Sequence, residues 1–166
     1  MALAYFFTAA IMLISLIVQG HASFDVLRVA GVKPDLLFIS IVYFGYTFGS
    51  FYGEVTGFIG GVFQDSVSNA PLGLLTLPKV LIGYTVGLFG REVFRQSWMT
   101  SCLLVLGASL VKGLITLFLC LMFQEAALSD IASIIIPEAA YNTVLAPFLF
   151  MLYDRLFASE IERSGY

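Results

Sequence analysis

Long apolar runs separated by short polar breaks dominate this chain, and they leave it few folds to adopt. Six runs can be marked, over residues 2–19, 34–49, 51–63, 72–90, 98–123 and 131–152. About 20 mostly apolar residues suffice to cross the hydrocarbon core of a bilayer as a helix. In that layer every backbone N–H and C=O must be satisfied internally, which a helix does within its own segment. The expectation is an all-α membrane protein: one integral membrane domain over residues 1–166, built as a bundle of about six transmembrane helices.

Composition excludes the alternatives. Charged residues make up 11% of the chain and hydrophobic ones 60%, with a mean hydropathy of +0.97. Soluble domains carry roughly a quarter charged residues, so this chain cannot cover a water-facing surface. Its partner is the lipid bilayer. A formal net charge of −3 and the lack of a basic cluster argue against any nucleic-acid partner. The first run is read as a retained span, because no Lys or Arg precedes it and no small-x-small cleavage site follows.

Loop cations set the expected orientation. With the N-terminus inside, the inner connections and tail hold Arg91, Arg95, Arg155 and Arg163, and the outer ones hold Arg28 and Lys33. Both termini are therefore expected in the cytoplasm.

Two patterns within the runs call for explanation. Gly45, Gly49, Gly53, Gly57 and Gly61 recur at every fourth residue, a spacing that permits close backbone approach between helices. A turn near residues 50–54 would divide the pattern between two short helices, where it serves internal packing or a partner-docking face. The second pattern is a set of ionisable residues inside the runs, Asp65, Lys79, Lys112 and Glu138. Such groups are costly in lipid and are functional candidates. Lys79 and Glu138 each lie about seven residues from the outer end of their run, roughly 10 Å deep, which suggests a direct ion pair. Lys112 could share the carboxylate. The set could brace the bundle, line a substrate or ion path, or bind a partner.

Catalytic chemistry finds little footing. His21 is the only histidine and falls in a loop, which removes a His-rich metal site and weakens a Ser-His-Asp triad. No phosphate-cradling glycine loop appears, and Cys102 and Cys120 lie too far apart on one helix to bond each other. No enzyme activity, cofactor or metal is expected.

The ordered set Pro34-Asp35-Leu36-Leu37, Gly57–Gly61, Phe63-Gln64-Asp65, Pro71-Leu72-Gly73, Lys79 and Gly83-Tyr84 resembles the MreD family of rod shape-determining membrane proteins. The likeness covers roughly residues 34–90, and the rest agrees in hydropathy. It implies a non-enzymatic scaffold of the bacterial cell-wall elongation machinery. The implied partner is a MreC-like protein with a single membrane span. A MreB-like filament, a RodA-like glycosyltransferase and a class B penicillin-binding transpeptidase would stand nearby. The family is also similar to the substrate-binding subunits of energy-coupling-factor vitamin transporters, which supplies the alternative reading and a fold to expect. Those subunits often carry Ala-x-x-x-Ala on their first helix, and Ala2, Ala4, Ala9 and Ala10 never fall four apart. The residues expected to bind a partner or to brace the polar interior are Asp35, Gln64, Asp65, Pro71, Gly73, Lys79, Lys112 and Glu138. Of the possible docking surfaces, the outer 64–73 segment with Asp65 is favoured.

Overall fold

The computed structural model describes residues 2–20, 32–68, 71–93, 97–123, 128–158 and 161. His21, Arg28, Arg95 and Arg163 lie outside the described residues, as does the side chain of Arg91, so most of the cations behind the expected orientation do too.

The described residues form six α-helices and no strand: α1 Ala2–Gly20, α2 Leu36–Phe48, α3 Ser50–Ser68, α4 Thr76–Val93, α5 Trp98–Phe123 and α6 Leu128–Leu156. Local chemistry sets the ends. Asp35 caps α2, its side chain accepting the N–H of Phe38 at 3.0 Å. Gly49 closes α2 with φ of 93°, a conformation that glycine adopts without a Cβ clash, and α3 starts at the next residue. Ser97 opens α5 by accepting the N–H of Thr100 at 3.1 Å. The helix of α4 is broken at Gly90 (φ 4°, ψ −164°), close to where the apolar run ends. α3 outlasts its apolar run by five residues, because Asp65 is buried in the following turn rather than released to solvent.

The 13-residue helix α2 sits at the centre. Every residue from Leu37 to Thr47 is buried, and α1, α3, α4, α5 and α6 all pack against it. A helix apolar all round needs cover all round. At about 20 Å it is too short to cross a bilayer core, and sheathed by its neighbours it has no lipid thickness to match. The outer helices have the opposite character. Phe6, Ile17, Phe51, Leu103, Leu114 and Phe118 are each at least 60% exposed. Apolar residues inside and outside together fit a molecule surrounded by hydrocarbon. Among the described residues, two helical stretches are long and apolar enough to cross a membrane on their own terms, Trp98–Phe123 and Ser133–Leu156.

α3 and α4 pack so closely that side chains have no room between them. A Cβ on Gly57 would stand 2.7 Å from the carbonyl oxygen of Lys79, and one on Gly61 would stand 2.5 Å from Thr76 Cα. A Cβ on Gly53 would run into the carbonyl of Gly83, and one on Gly45 would meet the same oxygen at 2.6 Å. The four-residue glycine spacing thus continues from α2 into α3, with Gly49 as the bend between them, and its glycines face α4. In lipid, association depends on such close approach, since apolar burial gives no gain over the surrounding tails.

Candidate functional site

Two polar centres lie in the half of the bundle that holds the start of α2 and the α3–α4 turn. The first is the turn itself. Asp65 is 1% exposed, and its oxygens accept the Gly73 N–H at 2.8 Å, the Leu75 N–H at 2.9 Å and the Thr76 hydroxyl at 2.5 Å. The carboxylate takes up donors that the start of α4 would otherwise leave unpaired. Gly73 turns the chain with φ of 101°, and Leu74 N–H bonds Pro71 C=O at 3.0 Å. Asp65 was expected either to bind a partner or to brace the polar interior; its carboxylate faces inward, where two backbone N–H groups and a hydroxyl converge on it. Among the described residues of this turn, Leu72 is the side chain presented outward, at 78% exposure.

The second centre gathers charges from four helices. Lys112 of α5 donates to Asp35 Oδ2 at 2.6 Å and to Glu138 Oε1 of α6 at 2.5 Å. Lys79 of α4 is fully buried, with Nζ 3.2 Å from Asp35 Oδ2 but not aligned for a hydrogen bond. Asp35 Oδ1 serves the α2 cap and also accepts from Gln19 Nε2 of α1 at 3.3 Å. The Asp35 N–H donates to Asn142 Oδ1 at 2.9 Å, and Asn142 reaches Ser109 at 3.4 Å. Two lysines and two carboxylates balance in charge. Buried charges persist only when paired in this way.

The expected Lys79–Glu138 pair is therefore corrected. Asp35 takes Lys79, and Lys112 takes Glu138. Equal depth along two helices does not make them neighbours, and α2 stands at the centre with its capping carboxylate already aimed at α4 and α5. Asp35 had been expected among the residues that bind a partner or brace the polar interior, but not as the carboxylate that receives the lysines, while Asn142, Ser109 and Gln19 were not singled out. A signal existed: Ser109 with Lys112, and Glu138 with Asn142, are polar residues three and four apart on otherwise apolar helices, so each pair shares a face.

Beside the cluster opens a cavity of about 410 Å³, walled by Gln19, Lys33, Asp35, Gln64, Lys112 and Glu138. Lys33 Nζ donates to the Gln19 carbonyl at 3.3 Å. The Oε1 atoms of Gln19 and Gln64 are buried without a hydrogen-bond partner. Among the described residues no group of three or more His, Cys, Asp or Glu gathers to hold a metal. The charges of the cluster pair with one another, Lys79 by proximity to Asp35 alone, an arrangement suited to clamping helices.

The family of the rod shape-determining protein MreD matches this chain over residues 1–156. No curated protein and no solved structure matches it. The expected likeness to vitamin-transporter subunits thus gains no support from known folds.

Proposed function

The chain belongs to the MreD family of rod shape-determining membrane proteins, and from that premise we propose that it acts as a non-enzymatic scaffold, holding a MreC-like partner and thereby positioning peptidoglycan synthases. The family match across nearly the whole chain carries this reading. The internally spent polar residues support it, since neither the Asp65 turn nor the Asp35–Lys112–Glu138 cluster leaves a reactive group poised for chemistry.

In this reading all six helices belong to one membrane body with both termini in the cytoplasm. The charge cluster and the α3–α4 turn then lie toward the periplasm. The partner's single span rests in the apolar groove between α1 and α3, of about 410 Å³, where Thr8, Ala9 and Thr56 are small enough for close approach. The exposed Leu72 at the outer turn meets the partner just beyond the bilayer. A RodA-like glycosyltransferase, a class B penicillin-binding transpeptidase and a MreB-like filament assemble around the pair.

Co-purification after mild detergent extraction tests this. The expected result is recovery of a single-pass coiled-coil periplasmic protein, reduced at least about tenfold by Ala9→Trp at unchanged protein level. Undiminished recovery with Ala9→Trp would remove the groove as the seat. Recovery of ATPase subunits in place of the coiled-coil protein would replace the scaffold with a transporter.

A further inference from the structure

The α3–α4 seam has one side that neither the charge cluster nor the α1–α3 groove uses. The two helices run antiparallel, with Gly61 against Thr76, Gly57 against Lys79 and Gly53 against Gly83. In an antiparallel pair of right-handed helices, the residues that follow two facing positions both turn about 100° to the same side of the seam. Glu54 follows Gly53, and Tyr84 follows Gly83. Both are exposed, as are Phe58, Leu81 and Leu88 around them. The other side of the seam is covered by α2, where a Cβ on Gly60 would meet Leu37 at 3.2 Å.

Depth sets this pair apart. In a body whose six helices cross the bilayer, Tyr84 lies midway along α4, about 12 Å from either end. A Cβ on Gly87 would run into Ser50, so the α2–α3 bend stops level with Gly87, and Glu54 stands a turn further from that end of α4. A glutamate is too short to snorkel out as lysine and arginine do. Among the described residues, neither its carboxylate nor the Tyr84 hydroxyl has an ion-pair or hydrogen-bond partner. Ionisable groups within a membrane almost always face other protein groups or water, so a carboxylate turned toward lipid marks a face that something else covers.

We propose that this face seats a membrane-spanning helix of a second protein, one that carries a lysine or arginine level with Glu54. Charge selects this occupant. The cation pairs with the Glu54 carboxylate, and its remaining N–H groups reach the Tyr84 hydroxyl oxygen. Phe58, Leu81 and Leu88 pack along the apolar flank of the helix. A second copy of this chain docked face to face would set Glu54 against Glu54, and like charges repel. Helices in lipid associate through packing and such polar contacts, not through apolar burial. The seat rests on the six-helix membrane body and is separate from the α1–α3 groove, so the chain can hold two partners at once.

The test uses the full chain in phosphatidylcholine nanodiscs and two synthetic leucine–alanine helices, alike except for a central lysine or leucine. Binding is followed by fluorescence energy transfer. The lysine helix should bind about tenfold more tightly than the leucine helix. Glu54→Gln should remove that preference, and Tyr84→Phe should reduce it about threefold. Ala9→Trp should leave it unchanged, and its loss there would move the lysine helix to the α1–α3 groove and overturn this seat. Thermal midpoints of Glu54→Gln and Tyr84→Phe should match the parent chain, since both side chains are exposed; a fall with Glu54→Gln would mean that the carboxylate is spent within its own chain. Equal binding of the two helices, or a preference that survives Glu54→Gln, overturns the proposal. So does loss of the preference when phosphatidylethanolamine is doped into the disc, which would put a lipid ammonium on the carboxylate. Self-association of the chain that Glu54→Gln abolishes would seat a second copy there and overturn it as well.

Discussion

Lys112 Nζ stands 2.6 Å from Asp35 Oδ2 and so ties α5 to the first residue of the central helix's cap. The same ammonium reaches Glu138 on α6 at 2.5 Å, and its charge lies 4.9 Å from the Phe38 ring centre. One lysine thus holds three helices. Removing it leaves Glu138 without its cation and Asp35 with Lys79 alone. Lys112→Met should cost about 3–5 kcal/mol, and adding Glu138→Gln to it should recover part of that loss. Unfolding followed in detergent checks both. An equal or larger loss in the double variant would show that the cluster is not a coupled unit.

The glycine face of α3 offers a second test. Gly57→Leu and Gly61→Leu each drive a side chain into the backbone of α4, where the nearest atoms cannot yield. Protein level should fall severely in both. Gly107→Leu is the matched control on α5, since nothing lies within 4 Å of its added Cβ. Equal levels in all three would mean that α3 and α4 are not held backbone to backbone.

Asp65→Ala should behave as a stability variant. It strands two backbone N–H groups and a hydroxyl at the start of α4, at a cost of about 3 kcal/mol. A drop in thermal midpoint is expected, with partner recovery falling only in proportion to protein level. Loss of the partner at full protein level would instead make Asp65 part of the docking surface.

Topology can be read from single cysteines in a chain whose Cys102 and Cys120 are replaced by serine. Leu72→Cys, on the exposed α3–α4 turn, should react with an impermeant reagent applied from outside, and Ser97→Cys at the start of α5 should not. The same result at both positions would overturn the six-crossing arrangement.

The contrast between Asp35 and Asp65 shows how far residues alone could be read. Pro34-Asp35 announced the start of a helix, and Asp35 does cap α2. Nothing local said that the same carboxylate would meet lysines 44 and 77 residues further along the chain. The glycines were legible as a close-packing face because their four-residue spacing is a property of one helix. Their opposing surface, formed by Lys79, Gly83 and Gly87 of α4, depends on how two helices align.

The sequence by itself determined the helical class, the membrane habitat and the family. These rest on hydropathy, helix period and ordered short motifs, all of which are local along the chain. Tertiary structure decided that α2 is the sheathed centre, that Asp65 faces inward, and that Asp35 rather than Glu138 receives Lys79. The physical reason is that lipid tails make every apolar face equivalent to the solvent. The choice of neighbours then falls to small-residue contact and to the pairing of a few buried charges, and both are settled by rotations and offsets between helices that no single run encodes.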